Sequence, residues 1–177
     1  MKPIIITGGP GAGKTTLVKA LSEFGYATFE EASRRLIAEQ SRIPNGVLPW
    51  TNLPAFAKLC LALMRKQKHQ ALCHEIAFVD RAIPDIAAYL KIGGCSVERA
   101  FAVEGIGYHH LVFACRPEAA IYVQDEVRPH RFEEALQIHQ TLVDTYAGQG
   151  YQVVDVPWGT VEDRVAFIRR ASGLLGR

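Results

Sequence analysis

No apolar run in these 177 residues approaches the roughly 18 that a helix needs to cross a bilayer, so no membrane partner is expected. The first apolar stretch stops at Thr7 and runs into glycines. That is not the form of a secretory signal peptide, and a cytoplasmic location is expected. Charge of one sign is not in excess either: 20 Lys and Arg stand against 18 Asp and Glu, a net charge of +2. So mild a balance lacks the basic footprint of a nucleic-acid binder, and no nucleic-acid partner is expected. The four cysteines, Cys60, Cys73, Cys95 and Cys115, include no C-x-x-C pair, which argues against a zinc ribbon or a redox motif. They read as buried, reduced thiols. No internal repeat and no low-complexity linker divides the chain, so residues 1–177 read as one domain. Its 49% hydrophobic content is ample for a core.

The strongest positive signal is Gly8-Gly9-Pro10-Gly11-Ala12-Gly13-Lys14-Thr15, which fits the phosphate-binding pattern G-x-x-x-x-G-K-[ST]. Pro3-Ile4-Ile5-Ile6-Thr7 before it is a short β-branched run suited to a buried parallel strand. After Thr16, residues Leu17, Val18, Ala20 and Leu21 have helical spacing. Strand, glycine-rich loop and helix are what phosphate binding requires. Glycines let successive N–H groups curl around phosphate oxygens, and the helix N-terminus favours an anion. Lys14 can reach the β- and γ-phosphates, and the Thr15 hydroxyl can bind Mg²⁺. The bland alternative, a glycine-rich turn with a surface lysine, does not account for the flanking pattern.

Further along, Tyr26–Phe29 reads as a second strand, followed by a helix from near Glu31 to Ser41. Functional groups gather at the carboxyl ends of parallel strands, so Glu30, Glu31 and Arg34 are candidates for an acceptor site. A charged helix start is the other reading. Residues 41–52 hold Pro44, Asn45-Gly46 and Pro49 and read as a loop, either lining a substrate pocket through Trp50 or tucking that ring onto the body. A long helix follows from about Pro54 to Cys73, with Arg65, Lys66, Lys68 and His69 as its solvated face.

Ile76-Ala77-Phe78-Val79-Asp80-Arg81 is a buried strand with a carboxylate at its tip, the form of a Walker B element. Asp80 there can serve Mg²⁺ or take a proton from an acceptor hydroxyl, or it can simply cap the next helix. Arg81 can meet a phosphate or an acidic group. Pro84 reads as the first residue of the next helix, and Asp85 as a second acceptor-site candidate. Ser96 reads as the N-cap of another helix. His109–Ala114 reads as a fourth strand whose two adjacent histidines point to opposite faces. Arg116, Arg128 and Arg131 precede a helix with the stripe Phe132, Ala135, Leu136, His139, Leu142, Val143 and Tyr146. His139 reads as a packed histidine. The arginines suit the transition state of phosphoryl transfer, in which charge spreads over three oxygens, or they are exposed surface residues. Tyr151–Pro157 reads as the fifth strand and Thr160 as the cap of a final helix. Trp158, at that strand's carboxyl end, can stack on a base or cover the sheet.

The runs ITGGPGAGKTT at 6–16, VDRAIPDIAAYL at 79–90 and Tyr122 to Pro157 together resemble the small kinase-like P-loop ATPases of the AAA-type group. That group includes the nicotinamide-riboside-kinase domain of NadR. The resemblance implies an α/β three-layer P-loop NTPase fold with a five-stranded parallel sheet in the order 2-3-1-4-5. It also implies a lid-like segment near 115–131 and ATP or GTP with Mg²⁺. No N-K-x-D guanine-reading motif is present, which favours ATP. On this reading Gly8, Gly9, Pro10, Gly11, Ala12, Gly13, Lys14, Thr15, Thr16, Arg116 and Trp158 hold the nucleotide. Lys14, Asp80, Arg128 and Arg131 act in transfer, and Thr15 and Asp80 serve the metal. Glu31, Arg34, Arg81 and Asp85 face a small-molecule acceptor. A nucleotide-hydrolysing switch is the alternative function, and the oligomeric state is open.

Overall fold

Three consecutive isoleucines with no charge among them make a strand that only an interior can hold. In the computed structural model Ile4, Ile5 and Ile6 are wholly buried in β1 (Ile4–Gly8). The structure describes residues 1–122 and 131–174. β1 is followed by α1 (Lys14–Glu23), β2 (Ala27–Phe29), α2 (Ala32–Gln40) and α3 (Leu53–Ala71). Then come β3 (Ala77–Asp80), α4 (Ile83–Ile92), α5 (Arg99–Glu104) and β4 (Leu111–Cys115). A 3₁₀ turn at Ala119–Ile121, α6 (Phe132–Gly148), β5 (Gln152–Asp155) and α7 (Val161–Ala171) complete the chain.

The five strands form one parallel sheet in the order β2-β3-β1-β4-β5, as the resemblance implies. Successive side chains of a strand point to opposite faces. Ile5, Val79 and Val112 therefore pack with residues of α2, α3, α4 and α6 on one face. Ile4, Ile6, Phe78 and Phe113 pack with α1 and α7 on the other. The register sets Ile6 beside Asp80 and Gly8 beside Cys115. The P-loop and the tip of β3 thus leave the sheet at the same edge.

Several local expectations need correction. Ile83 opens α4 and Pro84 takes its second position. Helix α5 starts at Arg99 behind Glu98 rather than behind Ser96. β4 starts at Leu111, so His109 and His110 precede the strand and are not bound by its alternation. Their rings lie 4.4 Å apart instead of on opposite faces. Lys68 is buried rather than solvated: its ammonium donates to the carbonyls of Glu104 and Ile106 at 2.7 and 3.0 Å, closing the end of α5. Cys60 and Cys115 are buried, but Cys73 is exposed and Cys95 only half-buried; all four are free thiols. Trp50 is 68% exposed and does not tuck onto the body. The Thr160 cap is as expected, with its hydroxyl oxygen accepting the Asp163 N–H at 3.1 Å.

Candidate active site

The loop from Gly8 to Lys14 is shaped by what it must avoid. Gly8 has φ +133°, and a Cβ there would lie 1.9 Å from the Cys115 carbonyl oxygen. Gly9 has no room either, with Pro117 2.5 Å and the Ala135 carbonyl 2.7 Å from a built Cβ. Gly13 is left-handed at φ +71° and caps α1 without a side chain, so the helix opens with bare N–H groups. Ala12 is buried, Pro10 half-buried, and Thr15 and Thr16 are exposed.

Two side chains hold this loop from below. The Gly9 N–H donates to Nδ1 of His139 at 3.4 Å, so the packed histidine expected on α6 meets the P-loop itself. Burial holds the His139 pKa below the usual imidazole range, consistent with a neutral ring accepting at Nδ1. Arg164, buried on α7, donates from Nη2 to the Ala12 carbonyl at 3.1 Å. Its guanidinium lies 5.0 Å over the Trp158 ring, which is 38% exposed. Trp158 therefore stacks on an arginine at the P-loop's flank. The sequence reading passed over Arg164, although a charge on the apolar face made by Val161, Val165 and Ile168 is a usable signal.

Lys14 is buried, and its Nζ donates to the Gly9 carbonyl at 2.7 Å. Burial, reinforced by the nearby Arg81 charge, lowers its pKa to about 8. Asp80 is buried at the tip of β3, with Oδ1 lacking a hydrogen-bond partner. Burial pushes its pKa up to about 6, against the opposing pull of Lys14 and Arg81. Arg81 turns away through a left-handed φ of +67°, which is strained for a bulky residue. Its Nη1 meets Asp85 Oδ1 at 3.0 Å, and its Nε lies 3.4 Å from Glu31 Oε1, without hydrogen-bond alignment. Burial raises the Glu31 pKa, but Arg81 and the Ser33 hydroxyl outweigh it and hold the carboxyl below its ordinary value.

Asp85 must be moved from the acceptor set to the framework. It is wholly buried, and its oxygens are taken by Arg81, by the Thr7 hydroxyl at 2.6 Å, by the Ala82 N–H at 2.9 Å and by the Tyr146 hydroxyl. Arg81 is likewise enclosed, with its guanidinium 5.5 Å over the Tyr89 ring. Neither presents a free face. Glu31 and Arg34, by contrast, line a cleft of about 570 Å³ together with Thr15 and Asp80. Of the loop 41–52, only Arg42 reaches it. Arg116 is exposed just beyond β4, and Arg131 is exposed at the N-cap of α6, where its N–H donates to Glu134. Arg128 lies outside the described residues, as do the other residues of the expected lid from 123 to 130.

A family described as an AAA domain matches residues 3–164. No curated protein matches the sequence. Among solved structures, deoxyadenosine kinase from M. mycoides, with products dCMP and a flexible dCDP bound, superposes with a TM-score of 0.67. The identity is 16%, over 97% of this chain and 98% of that one. The NadR protein in complex with NR gives a TM-score of 0.70 at 20% identity, over 97% of this chain and 52% of that one. NadR with NAD and AMP-PNP gives 0.68 at 19%, over 99% and 50%. This chain thus spans about half of the NadR chain. The likeness is one of fold, and the fold is that of P-loop NTPases.

Proposed function

The chain belongs to the AAA domain family, and on that premise we propose that it is an ATP-dependent phosphotransferase acting on a small-molecule acceptor in the cytoplasm. One observation carries the reading: Thr15 of the P-loop and Asp80 of β3 open onto the same cleft as Glu31 and Arg34. A nucleotide site and room for a second molecule are therefore continuous. The solved neighbours lend support, since their names describe kinases or complexes with nucleotides.

Within the loop from Gly8 to Thr16, the bare N–H groups at the start of α1 would take the phosphates of ATP, or of GTP, and Lys14 would exchange the Gly9 carbonyl for phosphate oxygens. Mg²⁺ is commonly bound through one or two carboxylates plus substrate phosphates rather than in an all-protein cage. The exposed Thr15 hydroxyl and the unpartnered Asp80 Oδ1 fit that need. Mg²⁺ bound there would supply charge neutralisation for the phosphates. In transfer, the bond from Pγ to the β–γ bridging oxygen breaks, leaving ADP, and a bond forms from Pγ to an acceptor oxygen. If that oxygen is a hydroxyl, its proton passes to a carboxylate. Asp80, with Oδ1 unpartnered at the cleft, would serve either as that base or as the metal's carboxylate. Arg116, Arg128 and Arg131 would supply cations over the transferred group, and Trp158 a face for the base.

The test is Asp80→Asn, with ATP and Mg²⁺ and a panel of nucleosides, vitamins and sugars. The variant should bind ATP while losing transfer by at least 100-fold. Wild-type turnover in the variant removes Asp80 from the chemistry. ATP loss that ignores every acceptor replaces the phosphotransferase with a nucleotide-hydrolysing switch.

A further inference from the structure

We propose that His139 is a positioning residue of the nucleotide site: by accepting the Gly9 N–H at Nδ1, its imidazole fixes the entry of the P-loop in the form that receives phosphate. The inference rests on the phosphotransferase reading of that loop.

Gly9 leaves β1 with little choice of path. A Cβ there would lie 2.5 Å from Pro117 and 2.7 Å from the Ala135 carbonyl. Ala135 and His139 are four residues apart and share one face of α6. Helix α6 thus meets Gly9 twice, through a carbonyl that crowds its α-carbon and through an imidazole that takes its N–H at 3.4 Å. Pro10, next in the loop, has no N–H to offer a phosphate or a neighbour. From the other side Lys14 Nζ holds the Gly9 carbonyl at 2.7 Å. Once Lys14 turns to a phosphate that bond is gone, and the bond to His139 remains.

The ring must be neutral, with its proton on Nε2. The Gly9 N–H needs an acceptor, and a proton on Nδ1 would set two donors face to face. The surroundings favour the neutral form. His139 is buried on α6, and burial disfavours the charged ring. Arg116, just after β4, and Lys14 on α1 act in the same direction, while Asp155 at the end of β5 opposes them without prevailing. From α4, Tyr89 packs beside Ile138 and Leu142, and burial holds its phenol protonated.

Space filling alone would not need an acceptor, so the two roles rank substitutions in opposite order. Asn sets its Oδ1 where Nδ1 stands but leaves part of the ring's volume empty. Leu restores the volume and offers no acceptor, leaving a buried N–H without a partner.

The experiment titrates the full chain with AMP-PNP and Mg²⁺ by calorimetry. His139→Asn should bind within about 3-fold of wild type, and His139→Leu at least about 10-fold more weakly. The reverse order makes His139 a packing residue and overturns the proposal. A loss shared equally by both variants, or by neither, overturns it too. Should His139→Leu not fold, the tautomer decides. In ¹⁵N NMR of the histidine-labelled wild type with AMP-PNP and Mg²⁺ bound at neutral pH, the signal that disappears in His139→Asn should be that of an Nε2–H ring. An Nδ1–H ring or an imidazolium there overturns the proposal by itself. Failure of the wild type to bind AMP-PNP brings down the phosphotransferase reading, and this inference with it.

Discussion

The Thr7 hydroxyl donates to Asp85 Oδ1 at 2.6 Å across 78 residues of sequence. This bond pins the strand that feeds the P-loop to the first turn of α4. The other Asp85 oxygen accepts from the Ala82 N–H and from Tyr146 on α6, so one carboxylate joins three elements. Replacing it with alanine leaves Arg81 buried with its remaining partner, Glu31, at 3.4 Å. Loss of one member of a buried ion pair costs about 3–5 kcal/mol. For a chain of this size that corresponds to a Tm lower by about 6–20 °C. Thermal denaturation of Asp85→Ala measures it, and a drop of only a degree or two would refute the structural role.

Gly8 and Gly25 both have positive φ, yet they should respond differently to alanine. At Gly8 the new Cβ would meet the Cys115 carbonyl at 1.9 Å, whereas at Gly25 nothing lies within 4 Å. Gly25→Ala should cost about 1–2 kcal/mol from left-handed backbone strain alone. Gly8→Ala must displace β4 or the loop, and should lose nucleotide binding as well as several kcal/mol of stability. Urea denaturation and nucleotide titration of the two variants make the comparison. Equal losses would mean that the close approach to β4 is unimportant.

Lys14 gives a pH signature with a defined sign. Its pKa falls from 10.5 in the unfolded chain to about 8 in the fold. The cost of burying the ammonium is therefore present below about 8 and is relieved as pH rises from there toward 10.5. Lys14→Met should be more stable than wild type at pH 7, by up to about 3 kcal/mol less what is lost with the bond to the Gly9 carbonyl. The gap should close above pH 8. Denaturant curves at pH 7 and 9.5 decide it, and a gap that widens with pH contradicts the assigned burial.

Trp158 separates two uses of an aromatic ring. Stacking on a nucleobase is worth about 1–3 kcal/mol per base. Trp158→Ala should therefore weaken ATP binding by roughly 5- to 160-fold, with a small change in stability because the ring is 38% exposed. Unchanged ATP affinity with a lowered Tm would instead assign the ring to covering Arg164.

The features readable in the sequence are those written in consecutive residues. The P-loop, the strand ending at Asp80 and the Thr160 cap each lie within a dozen positions, and their local pattern implies their form. Arg164, Tyr146 and Lys68 were not readable in the same way, because their partners lie 152, 61 and 36 or more residues away. Asp85 shows the boundary between the two. Its place in a helix's first turn is local and was anticipated, but its complete burial depends on β1 and α6 closing over it. Trp50 failed for another reason: a large ring in a proline-rich loop suggests an anchor, and only packing reveals that none is made.

The position of β1 at the middle of the sheet has a consequence for how the molecule comes into being. It leaves the ribosome before β3 and β4, its two neighbours, with Ile5 waiting for Val79 on one side and Val112 on the other. Such distant pairing is slow to nucleate, because a long loop must close before any contact rewards it. The curl of Gly8 is set against Cys115, and His139 meets Gly9 later still. During synthesis the phosphate cradle is thus made well before the β4 and α6 residues that complete it. A nascent chain should gain the ability to hold a nucleotide only after α6 has emerged, which makes the ligand itself a late guarantor of correct assembly.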